Sequence, residues 1–480
     1  MTQRKKSDTY SANGKCCSVT REQFFRGLKG KSVTFCGIGR SHLPLIDLFR
    51  EKGAIVSARD KRTLEELGET GEKLQAQGIN LILGENYLQN LNEDIIFRTP
   101  GMKYYLPELI EARKRGAAVT SELELFFELC PCKIYGVTGS DGKTTTTTIL
   151  SEFLKAERKT VHLGGNIGRP LLPEIETVSE TDCAVVELSS FQLISMRRSP
   201  DVAVVTNLSP NHLDMHKDMQ EYIGAKKNIF LHQSAFSRTV LNADNDITAS
   251  FAEEVRGDCW AFSRIKKPER GVWCDGESIF VNGEKLMSVS EIKIPGWHNV
   301  ENYMAAIGAV WGEVSSENIL SVAKNFGGVE HRAELVREVS GVRYYNDSIA
   351  SSPTRTMSGT LSLYPQKIIL ICGGYDKHIP YDPLGPVICD KVKTLIVMGD
   401  TGPKIEEAVR NAENYRENAP EILRVKTMEE AVATAQEKSK AGDIVSLSPA
   451  SAAFDLYPNF EVRGRHFKEL VNNLPEKEKE

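Results

Sequence analysis

The sequence predicts an α/β protein of three successive domains, each built on a largely parallel sheet with helices on its faces. Two observations predict it. Strand-like apolar runs alternate with helix-like segments along most of the chain, as in βαβ units. Glycine-rich or polar loops follow several of those strands, at the edge where open α/β sheets bind ligands. With 480 residues the chain is long enough for two to four domains. The pattern divides it into 21–115, 116–328 and 329–480, after a disordered polar tail over 1–20.

In the first domain, Lys31 to Cys36 reads as a buried strand, followed by Gly37-Ile38-Gly39 and a helix from Leu43 to Lys52. Gly53 stops that helix, and a second strand, Ala54 to Ala58, ends at Asp60. Asp60 lies where a ribose-binding acid stands in a dinucleotide fold, but His42 occupies the place of the third fingerprint glycine. The pattern therefore speaks for a nucleotide-shaped pocket more than for NAD. Leu81–Leu83, Ile95–Phe97 and Ala117–Val119 continue the alternation, and Arg98-Thr99-Pro100-Gly101 is a loop at a strand end.

The second domain opens on the clearest motif of the chain, Thr138-Gly139-Ser140-Asp141-Gly142-Lys143-Thr144. The apolar run Ile134 to Val137 leads in, and a helix-like run, Thr145 to Leu154, leads out. Such a loop turns backbone N–H groups and a helix N-terminus toward a polyphosphate; the lysine meets the phosphates and the threonine hydroxyl holds Mg²⁺. Strict phosphate loops carry a glycine where Val137 stands, and here Gly136 comes one step early. The strand Cys183 to Val186 ends at Glu187, where a carboxylate follows a phosphate loop to hold a cation. The next strand, Val202 to Thr206, leads to His212 and Asp214; Tyr222 and Lys226-Lys227 follow on a helix. From Phe236 to Ile294 short strands and turns predict a small antiparallel addition, with Asp275-Gly276 and Asn282-Gly283 as hairpin signals. At the helix start near His298, Asn299 and Asn302 either cap the helix or contact a base or ribose.

The third domain repeats the alternation, with strands at Arg343–Tyr345, Lys367–Cys372, Thr394–Met398 and Asp443–Leu447. Helices are expected at Lys404–Asn411, Met428–Ser439 and Phe460–Val471. Glu330-His331-Arg332 opens it, placing an arginine for a phosphoryl group. Polar loops at Asn346-Asp347-Ser348, Gly373 to Lys377 and Ser448 to Ser451 follow three strands, which puts them together at one sheet edge.

Composition narrows the class. Forty per cent apolar and 26% charged residues describe an ordinary globular protein, and a net charge of −5 gives no reason to expect nucleic acid or an anionic membrane. No apolar run approaches the length of a membrane span, about 18 residues. Ten cysteines with no repeated spacing read as reduced thiols of a cytoplasmic protein. The guanine-recognition signature Asn-Lys-x-Asp is missing, which argues against a GTPase switch.

Taken in order, the motifs resemble the Mur ligase family over about Lys31 to Leu470. They are the loop 138–144, Gly165-Asn166-Ile167-Gly168, Glu187 to Gln192, His212-Leu213-Asp214, His298 to Asn302, His331-Arg332, Asn346-Asp347-Ser348, Gly373 to Lys377, and Leu447 to Ala450 with Asn459-Phe460. The shortened phosphate loop fits the same family. The resemblance implies a Rossmann-like, UDP-binding first domain, a central ATPase-like domain, and a Rossmann-like third domain that binds an amino acid and closes over the phosphates. It implies an ATP-dependent amide ligation through an acyl phosphate, in cytoplasmic peptidoglycan synthesis, by a monomer. UDP-N-acetylmuramoyl-L-alanine, D-glutamate and ATP are the implied substrates, with two Mg²⁺ ions.

By resemblance Lys143, His212 and Lys226 are catalytic, Lys226 as a carbamate. ATP is met by Gly139, Ser140, Asp141, Gly142, Lys143, Thr144, Thr145, Asn302, Arg332 and Asp347. The carrier substrate is met by Asp60, Arg62, Thr99, Pro100, Gly101, Asn166, Ser189 and Gln192, and the acceptor by Ser351, Lys377, Phe454 and Phe460. Metal falls to Thr144, Glu187, His212 and the Lys226 carbamate. The third domain departs from the D-glutamate pattern. Ile349 follows Asn-Asp-Ser where lysine is common, Ser351 replaces a threonine, and Ala453 stands where a serine contacts the acceptor. The Asp-Asn-Pro-Arg motif of the diaminopimelate-adding sister is missing. Another Mur-type or folylpolyglutamate-like ligase, or an ATP-binding regulator, are the alternatives.

Overall fold

The computed structural model describes residues 20–209 and 216–476. It contains three sheets whose strands are mostly parallel, so most connections are helical crossovers. The expected 1–20 tail lies almost wholly outside the described residues, as do His212 and Asp214.

The first sheet comprises β1 (Ser32–Cys36), β2 (Ile55–Asp60), β3 (Asn80–Leu83), β4 (Ile95–Arg98) and β5 (Ala118–Thr120). Its order is β3-β2-β1-β4-β5, all parallel. Strand order reverses between β1 and β4, so the loops after these two strands flank the crevice that such a switch creates. Beneath it Phe35, Phe49 and Phe97 pack ring on ring, Phe35 stacked on Phe97 at 4.8 Å. His42, in the fingerprint position, is buried against the same rings and bonds through Nδ1 to the Gly37 carbonyl at 2.8 Å. Burial pushes its pKa down to about 4, so it is a neutral packing residue.

The second sheet holds β6 (Lys133–Thr138), β7 (Val161–Gly165), β8 (Cys183–Glu187), β9 (Val202–Val205), β10 (Arg238–Asn242), β11 (Asp258–Ser263), β12 (Gly271–Cys274), β13 (Ser278–Val281) and β14 (Glu284–Ser288). Its order is β14-β13-β12-β11-β10-β9-β6-β8-β7. Strand β6 lies between β8 and β9, as expected of a buried central strand with a continuous apolar run. Within Phe236 to Ile294 the expected small antiparallel addition is present but confined to β12, β13 and β14. Strands β10, β11 and β12 pair parallel and extend the main sheet; only β12-β13-β14 is antiparallel. A helical crossover, not a tight turn, joins β10 to β11, which is why their direction is shared. Both hairpin signals hold, and Asn282 and Gly283 take φ of 49° and 94°, as a two-residue hairpin turn requires.

The third sheet holds β15 (Glu334–Val339), β16 (Val342–Asn346), β17 (Ile368–Gly373), β18 (Val392–Met398), β19 (Glu421–Arg424) and β20 (Ile444–Leu447), in the order β15-β16-β20-β17-β18-β19. Only β15 is antiparallel. Helices Gly402–Arg410, Met428–Lys438 and Phe460–Asn472 fall where the sequence puts them, within two residues.

The chain forms two compact units. One runs to Glu291 and includes Val300–Val322; the other is Ile292–Asn299 with the chain from Ala323 onward. The first and second sheets share one unit and one apolar cluster, from Phe25 and Phe49 through Phe126 and Leu172 to Ile229 and Phe251. The other unit has its own clusters on the two faces of the third sheet, one around Leu370 and Ile388, one around Ile371 and Phe467.

Candidate active site

In the first unit the site is built around the loop between β6 and the helix Lys143–Ala156. Gly142 caps that helix with φ of 77°, and a Cβ there would sit 2.4 Å from Asn302 Oδ1. A Cβ on Gly139 would sit 1.9 Å from Thr206 Oγ1. Only glycine fits both positions. The Asn207 carbonyl accepts from Ser140 N at 2.8 Å and its side-chain oxygen from Asp141 N at 2.9 Å. The Thr206 hydroxyl donates to the Asp141 carbonyl at 2.5 Å. Thr146 donates to Asn302 Oδ1 at 3.1 Å, so Asn302 braces the first turn of the helix. The first turn of the helix, from Lys143, points its N–H groups out of the N-terminus, where a helix stabilises an anion. Lys143 lies over the loop, its Nζ donating to the Ser140 carbonyl at 2.9 Å. Thr144 is half-buried beside it.

Lys226 lies beneath the loop. Its residue is 2% exposed, and its Nζ donates to the Gly139 carbonyl at 2.8 Å and to Thr138 Oγ1 at 3.1 Å. Burial, reinforced by the charge of Lys143, pushes its pKa down to about 7. A near-neutral amine is a nucleophile, so the site can hold a carbamate, which an exposed ammonium forms poorly. Tyr222, one turn earlier, bonds Ser140 Oγ at 2.9 Å and so fixes this helix against the loop.

Glu187 ends β8, next to β6, and is buried. Its Oε1 accepts from Asn166 Nδ2 at 2.8 Å, while its Oε2 is buried with no hydrogen-bond partner among the described residues. An orphaned carboxylate oxygen at this place is costly unless a cation meets it. Among the described residues no group of three or more His, Cys, Asp and Glu could hold a metal. The donors are a hydroxyl and a carboxylate, with a carbamate where Lys226 is modified: oxygen donors, as Mg²⁺ prefers.

The carrier candidates are partly brought together. A cleft of about 360 Å³ is lined by Pro100, Asn166 and Gln192, together with Arg40, Arg98, Arg169 and Glu122. Asp60 and Arg62 instead close the turn after β1. The Asp60 carboxylate accepts from Ile38 N at 2.7 Å and from Arg62 N and Nε at 2.9 and 3.0 Å, while Arg62 donates to the Ile38 carbonyl at 2.7 Å. Burial alone raises the Asp60 pKa, but these bonds outweigh it and hold the carboxyl below its usual range. Ser189 and Gln192 form a reciprocal capping box on the short helix Ser190–Leu193. Thr99 and Gly101 flank Pro100 in the loop after β4.

In the second unit the loops after β16, β17 and β20 stand side by side, because β20 pairs with both β16 and β17. Arg332 is exposed between two left-handed residues, His331 at φ 63° and Ala333 at φ 44°. Non-glycine residues adopt such angles only when their surroundings enforce them. Here Asn346 bonds His331 Nδ1 at 2.9 Å, and Ala333 N donates to Asp347 Oδ1 at 3.2 Å. Asp347 Oδ2 accepts from Thr360 at 2.8 Å and Ser448 at 3.1 Å; burial pushes its pKa up to about 6 despite these bonds. Asp347 thus serves to hold the Arg332 turn.

Lys377 is exposed in the loop after β17, and Ser351 is half-buried. Phe454 is exposed, its ring edge-on to Tyr375 at 5.9 Å; Phe460 packs edge-on against His331 at the same separation. Ala453 is buried. Arg463 escapes the sequence reading. Buried, it donates to Ser348 O at 2.9 Å, Ser348 Oγ at 3.0 Å, Ala452 O at 2.9 Å and Ser451 O at 3.1 Å, tying two of the loops together. The available signal is a cation near the start of a helix capped by Asn459, where the macrodipole disfavours it. Arg40 and Arg98 likewise follow or end strands at the switch point, a position that marks them in hindsight.

Comparison with known proteins supports this reading. Residues 137–310 match the Mur ligase middle domain, and residues 331–451 the Mur ligase glutamate ligase domain. A UDP-N-acetylmuramoylalanine--D-glutamate ligase of Acetivibrio thermocellus is 53% identical over 459 residues, covering 94% of this chain and 98% of the relative. One of the same name from Clostridium kluyveri is 49% identical, covering 94% and 99%. Among solved structures, UDP-N-acetylmuramate-alanine ligase MurC from Thermotoga maritima superposes with a TM-score of 0.56 at 18% identity, covering 92% of this chain and 99% of that one. A UDP-N-acetylmuramoyl-L-alanyl-D-glutamate--2,6-diaminopimelate ligase gives 0.55 at 17%, covering 79% and 93%. Those two likenesses speak to the fold.

Proposed function

The chain belongs to the Mur ligase family and is an ATP-dependent amide-forming ligase, and from that premise we propose that it joins D-glutamate to UDP-N-acetylmuramoyl-L-alanine in cytoplasmic peptidoglycan synthesis. The observation that carries the acceptor and the carrier is identity of about one half, over nearly the whole chain, to relatives named for that reaction.

A carboxylate is a poor acyl donor because its oxygen leaves badly. An oxygen of the alanyl carboxylate therefore attacks the γ-phosphorus of ATP, the bond to the bridging oxygen breaks, and ADP leaves. The D-glutamate amine then attacks the acyl carbon and loses its proton to solvent. The tetrahedral intermediate collapses by expelling phosphate. Lys143, aimed by the Ser140 carbonyl, stabilises the transferring phosphoryl group, and the loop 139–145, braced by Asn207 through Ser140 N and Asp141 N, wraps the polyphosphate at the helix start. Asn302 keeps that turn in place. Thr144, Glu187, the Lys226 carbamate and His212, the last outside the described residues, are the donors for two Mg²⁺ ions. When bound, Mg²⁺ neutralises charge on the phosphate oxygens. Arg332 meets a phosphate, and Lys377 a carboxylate of D-glutamate, with Ser351, Phe454 and Phe460 around it. The carrier lies against Pro100, Asn166 and Gln192, with Asp60, Arg62, Thr99, Gly101 and Ser189 shaping its binding loops. The enzyme works as a monomer.

The test mixes pure protein, ATP, Mg²⁺ and UDP-N-acetylmuramoyl-L-alanine with each candidate amino acid and measures phosphate. Release that requires D-glutamate is expected. Release with L-lysine or diaminopimelate instead would move the chain to another Mur-type reaction, and none with any acceptor would favour an ATP-binding regulator.

A further inference from the structure

Two buried ionisable groups in the first unit have no part in the chemistry above. Arg98, at the end of β4, is 1% exposed, and Glu122, at the start of the helix Glu122–Leu129, is 8% exposed. Burial lowers the Arg98 pKa and pushes that of Glu122 up to about 7, so keeping ionisable groups at these places is costly. Neither sits idle in a core. Both line the cleft that holds Pro100, Asn166 and Gln192.

Arg98 reaches from the first sheet, and Glu122 from the helix that follows β5, to loops of the second sheet. Arg98 Nη2 donates to Ser195 Oγ at 2.5 Å and to the Phe191 carbonyl at 3.2 Å, on either side of Gln192. Its Nη1 turns back to the Met102 carbonyl at 3.4 Å, across the Thr99-Pro100-Gly101 loop, while its Nε has no partner among the described residues. Glu122 Oε1 accepts from Leu171 N and Leu172 N, both at 2.8 Å. That pair closes the far end of the loop that begins at Asn166, whose own N–H and side chain bond Glu187. Arg98 thus fastens the Pro100 loop to the segment around Gln192, and Glu122 fastens the Asn166 loop. An apolar contact would hold a core as well and more cheaply. Multi-armed hydrogen-bonded fastenings set loop positions sharply, which is what a site for a large substrate needs.

We propose that Arg98 and Glu122 are positioning residues that hold the two walls of this cleft in register for the carrier substrate. The identity of that carrier as UDP-N-acetylmuramoyl-L-alanine rests on the function proposed above. Hydrogen bonds to buried charged groups are strong enough that losing them should cost about ten-fold or more in binding.

The experiment compares full-length wild type with R98M, R98K, E122L and E122Q. It measures KM for carrier and for ATP, kcat, calorimetric carrier binding without ATP, and amide hydrogen exchange. In R98M and E122L, KM and Kd for the carrier should rise at least ten-fold, with KM for ATP within two-fold and kcat down less than three-fold. E122Q keeps an acceptor for both N–H groups and should recover most of the loss; R98K, with fewer arms, should recover part. Exchange at Leu171 and Leu172 should quicken in E122L, and over Ser189–Ser195 in R98M. Carrier Kd within two-fold of wild type in both variants, or an equal rise in KM for ATP, overturns the proposal. Should R98M or E122L fail to fold, R98K and E122Q decide: a carrier-specific rise in R98K supports the proposal and none overturns it. A wild type that binds no carrier defeats the proposed substrate, and the exchange result then decides the fastening alone.

Discussion

At the scale of single residues, the roles proposed for Lys143 and Lys226 ask opposite things of two lysines. Lys143 is proposed to act as a cation on developing phosphoryl charge, so Lys143→Ala should lower kcat by about 100-fold or more while leaving the unfolding temperature near wild type. Steady-state kinetics beside a thermal melt checks both halves. The carbamate proposed at Lys226 needs a neutral amine, whose nitrogen attacks CO₂ and releases a proton. Burial lowers its pKa from 10.5 to about 7. Between those values the unfolded chain holds the proton and the folded chain does not, so this residue's contribution to stability rises with pH across that window. Carbamate formation follows the same direction. Activity regained on adding bicarbonate to CO₂-stripped enzyme should be large at pH 8 and fall as pH drops through 7. Lys226→Ala should be inactive and partly rescued by short carboxylates; failure of that rescue would remove the carbamate. Sequence showed the first lysine outright, because Gly-Lys-Thr between strand and helix has few other uses. Lys226 is visible as a binding group only through family resemblance; Arg98 shows only as part of a strand-end loop, and Glu122 and Arg463 carry no assignment. Their partners are mostly backbone carbonyls and amides, and a main-chain partner leaves no residue-type signature.

At the scale of elements, the turn His331-Arg332-Ala333 stores conformational strain in order to present one guanidinium. Ala333 at φ 44° is a position glycine would occupy freely. Ala333→Gly should therefore raise stability or leave it level, within about 1 kcal/mol, while loosening the turn. KM for ATP is expected to rise with kcat less affected; an unchanged KM would show that the strain does nothing for Arg332. Gly142→Ala makes the opposite case. Its Cβ meets Asn302 at 2.4 Å in a left-handed backbone, so the helix start must shift and ATP binding should be lost by calorimetry. Elements with strong local chemistry were legible: buried parallel strands as continuous apolar runs, and hairpins as Asp-Gly and Asn-Gly. Strands β7, β15 and β19 are not, because they are part-exposed and carry neither a continuous apolar run nor an alternation of their own. The shared direction of β10 and β11 was missed for a different reason. Pairing direction follows from the connection, and the helix Asp246–Ala249 is a single turn with little periodicity to read.

At the scale of the whole molecule, the two units differ in how self-sufficient their parts are. The third sheet has apolar clusters on both faces drawn entirely from its own unit. Residues 323–480 produced alone should give one cooperative calorimetric transition. Residues 20–115 should not, because the cluster that packs Phe35 and Phe49 is completed by Leu123, Phe126 and Leu172. In the intact enzyme, carrier at 100 times its Kd should stabilise the first unit by about 2.7 kcal/mol and leave the other transition in place. That continuity between the first two sheets bears on ancestry as well as on folding. A recombination event that swaps sequence near residue 116 separates Phe49 and Arg98 from the side chains they evolved against, and the offspring start with a mismatched interior. A crossover near residue 329, past the helix Ser316–Asn325, leaves both clusters of the third sheet whole. Among related bacteria, the amino-acid end of this gene should travel as a cassette, whereas the carrier and nucleotide ends are inherited together.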